Sequence, residues 1–193
     1  MSADPVVESR QRILDAALSL MSERGAAGMS MRMLAGACDL NVATLYHYFP
    51  SKADLLRAVL SERGYLERLR TSEPPPEVRQ PADPRDRLHQ LVSWLWRAIE
   101  QEEAVWRLLI GESLRGDAFA RAEALALVDG IDAAVAAWVA ETVPELTDRA
   151  ERIGRVARAA LFSLIVEHVA LGPDRARVES RVDDLVEAIL PSR

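Results

Sequence analysis

The 193-residue chain holds one cysteine, one lysine and no uninterrupted apolar run of roughly 18 residues. With Cys38 alone, an intramolecular disulfide and a multi-cysteine metal site are excluded. The opening stretch MSADPVVESR carries no secretory apolar core, so a cytoplasmic, soluble protein with no membrane partner is expected. Aromatic residues make up 5% against 49% hydrophobic, which leaves the core to Ala, Leu and Val. That aliphatic mix favours helices over sheets. Also missing are a nucleophile elbow, an HExxH pair, a dinucleotide fingerprint and paired Cys/His spacing. The chain is therefore expected to be no enzyme and to need neither cofactor nor metal.

Positive charge is short overall, the net balance being −6. It is unevenly shared: residues 1–70 carry nine Lys+Arg against eight Asp+Glu, and residues 71–193 carry fifteen against twenty-two. The acidity thus sits in the second region. Lys52 stands against twenty-three arginines.

What is present is concentrated in residues 30–55, SMRMLAGACDLNVATLYHYFPSKADL. Ser30 is a good N-cap for a short helix whose apolar face holds Leu34 and Ala35. Asp39 tolerates left-handed backbone values and Leu40 plugs the turn. Asn41 caps a second helix, VATLYHYF, in which Leu45 and Phe49 lie one turn apart and face inward. Val42, Ala43, Thr44, Tyr46, His47 and Tyr48 are left on or near the outside. Small and hydroxyl-bearing side chains at a helix start, with aromatics beside them, suit a DNA major groove. The pattern is a helix-turn-helix.

The run Leu45-Tyr46, Tyr48-Phe49, Ser51-Lys52 and Leu55, preceded by Ser30, Leu34 and Ala35, resembles the DNA-binding domain of TetR-type (tetracycline-repressor-like) transcriptional regulators. Cys38-Asp39 stands where that family usually has Ala-Gly. The resemblance covers about the first 60 residues. It implies an all-α fold: an N-terminal three-helix helix-turn-helix domain (9–56) joined to a C-terminal helical ligand-binding and dimerisation domain (57–193), about nine helices in all. It also implies phosphate contacts from Tyr46, Tyr48 and Lys52. For the two tyrosines the alternative is partly buried packing that supports the helix. Ser30 and Arg32 are further phosphate candidates, and Val42, Ala43 and Thr44 lie where side chains reach base edges. His47 faces bases, backbone or solvent. With a balance of only +1 in this region, binding is expected to be specific, moderate towards other sequences and steeply salt-dependent.

Apolar periodicity places a first helix at about Ser9–Arg24, ended by Gly25 and Gly28, and a fourth from Ser51 to about Leu69 with Leu55, Leu56, Val59, Leu60 and Leu66 inward. Residues 71–86 hold five of the ten prolines and read as an exposed linker. Helices are expected over 87–101, around 105–110 before Gly111, over 119–142 as a central element, from a Thr147 cap to Leu171, and over 174–190.

Cys38 sits at a small inner position and reads as core packing. Trp94, Trp96, Trp106 and Trp138 are large aromatics in a chain otherwise poor in them, and residues two apart on a helix cannot share a face. Trp94, Arg97, Trp106, Leu109, Trp138 and His168, with His89 and Glu112 as further polar groups, are candidates for lining an effector pocket. With no Gly-rich phosphate loop, an apolar or aromatic molecule is favoured over a phosphate-rich one. The resemblance implies that the last two helices pair with their symmetry mates in a homodimer. Ile153, Val156, Ala157, Ala160, Leu161, Leu164, Val182, Leu185, Val186 and Ile189 are the candidate interface. The reading is a ligand-released repressor on a palindromic operator. The alternative is a helix-turn-helix protein working through a protein partner, in division or nucleoid organisation, without an effector.

Overall fold

Helix α1 (Pro5–Gly28) forms because Ile13, Leu14, Ala17, Leu18 and Met21 repeat at helical spacing, and all five are buried. At Gly25 the backbone turns to φ 72°, ψ 159°, a left-handed φ that costs glycine little, and one further helical turn follows. The computed structural model describes residues 5–62 and 72–191, all helix or connecting loop. Helices α2 (Met31–Ala37), α3 (Val42–Tyr48) and α4 (Lys52–Glu62) follow. The expected extension of α4 through Leu66 to Leu69, and Thr71 at the head of the linker, lie outside the described residues.

Beyond the linker come a short 3-10 turn (Pro76–Arg79), α5 (Pro84–Gln101), α6 (Glu103–Arg115), α7 (Ala118–Thr142), a second 3-10 turn (Pro144–Arg149), α8 (Ala150–Leu171) and α9 (Arg175–Ile189). Nine α-helices are thus described, as expected from the sequence.

The chain divides into two compact units. The first takes the described residues of 1–65 together with 104–126; the second takes those of 66–103 and 127–193. The boundary expected at 56–57 does not coincide with this division, because most of α6 and the start of α7 belong with α1–α4. In the first unit α1 packs on α2 and α4, and α2 on α3. In the second, α9 packs on α5 and α8, and α5 packs on α8.

Several expected boundaries move, each for a local reason. Asp83 accepts a hydrogen bond from the Arg85 N–H and Pro84 occupies the first helical position, so α5 begins three residues before Arg87. Helix α6 runs through Gly111. Glycine inside a helix costs about 1 kcal/mol relative to alanine, less than burial of Val105, Leu108 and Leu109 returns. Thr147 is not the cap of α8: its Oγ1 donates to the Pro144 carbonyl inside the 3-10 turn, and α8 starts at Ala150. The proline stretch is not simply exposed, since Pro74 and Val78 are buried and the Ser72 carbonyl accepts from Trp138 Nε1. Nor is α7 central: Leu125 is 68% exposed, and alanine lets a helix be apolar all round without being enclosed.

Candidate nucleic-acid interface

The reading helix α3 is set by short-range polar bonds. Asn41 Oδ1 accepts from the Thr44 N–H at 2.7 Å and from Thr44 Oγ1 at 3.0 Å. Ser30 Oγ accepts from the Met33 N–H at 3.1 Å and starts α2 in the same way. Between them Asp39 takes φ 54°, the left-handed value its short polar side chain tolerates. Leu45 and Phe49, 0% and 1% exposed, anchor the inner side of α3.

Three cations close three helix ends. Arg10 donates to the Tyr48 carbonyl at 3.3 Å, lies 4.4 Å from the centroid of the Phe49 ring and pairs with Glu62, so it fixes the end of α3. The bond to Glu62 raises its pKa further. Arg12 donates to the Cys38 carbonyl at 3.4 Å, at the end of α2. Lys52 Nζ donates to the Ala27 and Met29 carbonyls at 3.1 and 2.9 Å, at the end of the turn that follows Gly25. Positive charge at a helix C-terminus complements both the free carbonyls and the macrodipole. The sequence pattern gave no sign of the roles of Arg10 and Arg12, because both look like ordinary solvated positions on α1.

The outward surface of α2 and α3 carries Arg32, Ala43, Tyr46 and His47 exposed, with Val42, Thr44 and Tyr48 half-buried. Arg32 has no ion-pair partner among the described residues. Tyr46 is 48% exposed, more than packing alone requires. Tyr48 lies 6.5 Å from Phe49 between ring centroids, which fits its supporting alternative. Lys52, expected on a phosphate, is already committed to backbone carbonyls. Cys38 is buried; burial pushes its thiol up against the smaller opposing pull of Arg12, leaving it a core side chain and a poor nucleophile.

The six expected effector-pocket residues do not converge. Trp106 and Leu109 belong to the first unit, whereas Trp94, Arg97, Trp138 and His168 belong to the second. Trp94 and Trp138 pack edge to face at 5.2 Å. Buried His168 meets Trp96 at 5.5 Å and places Nε2 3.3 Å from Glu103 Oε2. A cavity of about 630 Å³ in the second unit is lined by Trp96, Arg97, Val178 and Val182, with His89 and Glu100 at its polar side. Of the six, only Arg97 lines it. Glu112 is buried in the first unit, away from any such cavity.

The expected interface residues also divide. Ile153, Ala157, Leu161 and Leu164 on α8, and Val182, Leu185, Val186 and Ile189 on α9, are buried within the chain's own second unit. Ala160 is half-buried, and Val156 alone of the set is exposed. Helix α8 is apolar on two faces. The outward one holds Val156, Phe162, Val166 and Leu171 at 47, 46, 40 and 70% exposure.

Among the described residues no three His, Cys, Asp or Glu side chains form a metal-binding group, and no helix is long and apolar enough to cross a membrane.

Residues 13–59 match the sequence family described as "Bacterial regulatory proteins, tetR family". The chain is 30% identical over 190 residues to the HTH-type transcriptional repressor KstR of Rhodococcus jostii (strain RHA1), spanning 98% of this chain and 86% of that protein. Its fold matches a Mesorhizobium loti MAFF303099 protein assigned to the TetR-family transcriptional regulators, at TM-score 0.73 and 20% identity over 97% of both chains. It also matches a Saccharomonospora viridis regulator solved in complex with choline, at TM-score 0.70 and 23% identity over 94% of this chain and 96% of that one.

Proposed function

Because this chain belongs to the TetR family of bacterial regulatory proteins, we propose that it is a ligand-responsive transcriptional repressor whose α3 reads operator DNA. The observation that carries the reading is the outward face of α3. Val42, Ala43 and Thr44 form its first turn, held by the Asn41 cap, with Tyr46 exposed one step on. Thr44 spends its hydroxyl proton on Asn41, so towards a base it is an acceptor, suited to the amino groups of adenine or cytosine. Val42 suits a thymine methyl group. Ser30, Arg32, Tyr46 and Tyr48 are assigned to phosphates and His47 to the groove edge.

A reader this small needs duplication. The outward apolar face of α8 is the surface we assign to a second copy, since contiguous exposed apolar side chains are what an interface covers. Two readers then meet half-sites about 34–36 Å apart. The cavity beside Trp96 and Arg97 is assigned to a small effector with an apolar or aromatic body. The choline held by the S. viridis regulator supports a small organic molecule as the class of effector. Effector binding favours a dimer whose reader spacing no longer fits, so by linkage DNA weakens the effector by the same factor.

The test is fluorescence anisotropy of the purified protein on DNA flanking its own gene, and on duplexes selected from random sequence, with excess nonspecific competitor. Binding that is tight, salt-sensitive and lost in a folded Tyr46→Ala variant is expected. A folded protein that selects no duplex overturns the reading and moves weight to a protein partner.

A further inference from the structure

Glu112 is the most deeply buried carboxylate among the described residues that bears on the reader, with 6% of its surface exposed. A charge so enclosed is tolerated only where hydrogen bonds replace water. Its Oε1 accepts from the Ala26 N–H at 2.9 Å and from Arg115 Nη1 at 2.8 Å. Ala26 is the first residue after the Gly25 break. The Arg115 guanidinium lies across that break, so close that a Cβ on Gly25 would sit 3.2 Å from it. At the other end of the same turn, Lys52 holds the Ala27 and Met29 carbonyls. Ser30, the cap of α2, is the next residue.

One short helical turn, Ala26–Met29, is therefore gripped by an anion at its N-terminal end and a cation at its C-terminal end. Both charges have the sign that the turn's free N–H and carbonyl groups favour. The turn is the only covalent path from α1 into the helix-turn-helix. Nothing in base reading requires a buried carboxylate on α6, and the partners of Glu112 are that turn and Arg115.

We infer that Glu112 and Lys52 are positioning residues for operator binding: they clamp the Ala26–Met29 turn from its two ends and so fix how α2 and α3 are presented, Lys52 acting through backbone carbonyls instead of a DNA phosphate. The inference rests on the DNA-reading function proposed above. Hydrogen bonds to charged groups of this kind correspond to about tenfold or more in an equilibrium when lost.

The experiment compares operator affinity across a salt series for the full-length protein and four variants: Lys52→Ala, Lys52→Arg, Glu112→Ala and Arg32→Gln. Each is measured at a temperature where circular dichroism shows it folded. The slope of log affinity against log salt separates the two roles of a lysine, because losing a phosphate contact lowers its magnitude by about 0.9. Lys52→Ala and Glu112→Ala are expected to weaken binding about tenfold or more with the slope unchanged. Lys52→Arg, which still donates to carbonyls, is expected to recover most of that loss, and Arg32→Gln is expected to lower the slope. In the same Lys52 and Glu112 variants, faster amide hydrogen exchange at Ala26 and Met29 is expected without DNA. A slope reduced in Lys52→Ala, or parental affinity in folded Glu112→Ala, overturns the inference while the DNA-reading function stands. A parent protein that binds no selected duplex overturns both.

Discussion

The two units of the chain are held by different kinds of polar bond. In the first, side chains bond mostly to backbone: Ser30 and Asn41 at helix starts, Arg10, Arg12 and Lys52 at helix ends, and Glu112 on the turn after Gly25. In the second, arginines pair mostly with carboxylates near the surface, as in Arg79–Glu141, Arg85–Glu187, Arg87–Glu145 and Arg175–Glu179. A side-chain bond to backbone fixes where the chain goes. A surface ion pair contributes little and is readily exchanged. Two seven-residue helices are too short to hold their own geometry, so the unit that must meet a rigid duplex is pinned residue by residue. The second unit can leave its precision to packing.

The largest effect tests whether pinning or packing keeps the reader folded at all. Leu45 is wholly buried under α3, and Leu45→Ala is expected to cost about 2–5 kcal/mol, the range for large-to-small changes in a core. Urea denaturation gives the value. A loss below about 1 kcal/mol would mean that the caps and cations carry the reader, contrary to the propensity of such short helices.

Next in size is a steric test in the second unit. A Cβ on Gly154 of α8 would stand 3.0 Å from the Asp132 carbonyl oxygen and 3.2 Å from the Ala136 nitrogen of α7. Backbone cannot yield as a flexible side chain does, so Gly154→Val is expected to cost about 1–3 kcal/mol by forcing α7 and α8 apart. Gly25→Ala is the contrasting change. There a left-handed φ is the obstacle and the nearest atoms belong to the mobile end of Arg115. Thermal melts of both variants would blur the contrast if Gly154→Val proved neutral.

A matched pair of caps separates stability from function. Asn41 Oδ1 accepts from the Thr44 N–H at the head of α3, and Asp174 Oδ1 accepts from the Arg177 N–H at the head of α9. Replacing either by alanine is expected to cost about 1 kcal/mol. Only Asn41→Ala is expected to weaken operator binding beyond that loss, because it also frees the Thr44 hydroxyl. Equal operator affinities for the two variants would erase the distinction drawn between the units.

This contrast also marks what could be read from the sequence. The caps Ser30 and Asn41 and the left-handed Asp39 act over three or four residues, so composition at fixed offsets exposed them, and with them the helix-turn-helix. Glu112 lies 86 positions from Ala26, and Arg10 lies 52 from Glu62; no local pattern encodes such meetings. Helix α8 fails for another reason. With Ile153, Ala157, Leu161 and Leu164 on one side and Val156, Phe162 and Val166 on another, periodicity finds two apolar faces without saying which the chain itself buries. The tryptophans fail likewise, since size predicts that each is enclosed but not in which unit.

The smallest expected effect lies in the surface pairs of the second unit, where pH supplies the probe. Arg87 donates to both oxygens of Glu145, and chiefly through those bonds holds its carboxyl below the usual range. A carboxylate whose pKa is depressed on folding stabilises the folded chain above its unfolded pKa, and that contribution fades as pH falls through the folded value. Glu145→Gln removes the charge while leaving the bonds of Arg87 to the Pro81 and Ala82 carbonyls in place. Parent and variant should therefore differ in melting temperature at neutral pH, converge as the solution is acidified through the carboxylate range, and differ less at high salt. The gap should be narrower than that left by Asn41→Ala, because Glu145 is exposed and water competes for its oxygens. A gap that persisted unchanged at acid pH would mean that the glutamate side chain contributes by packing, not charge. The second unit would then be pinned more like the first than its surface pairs suggest.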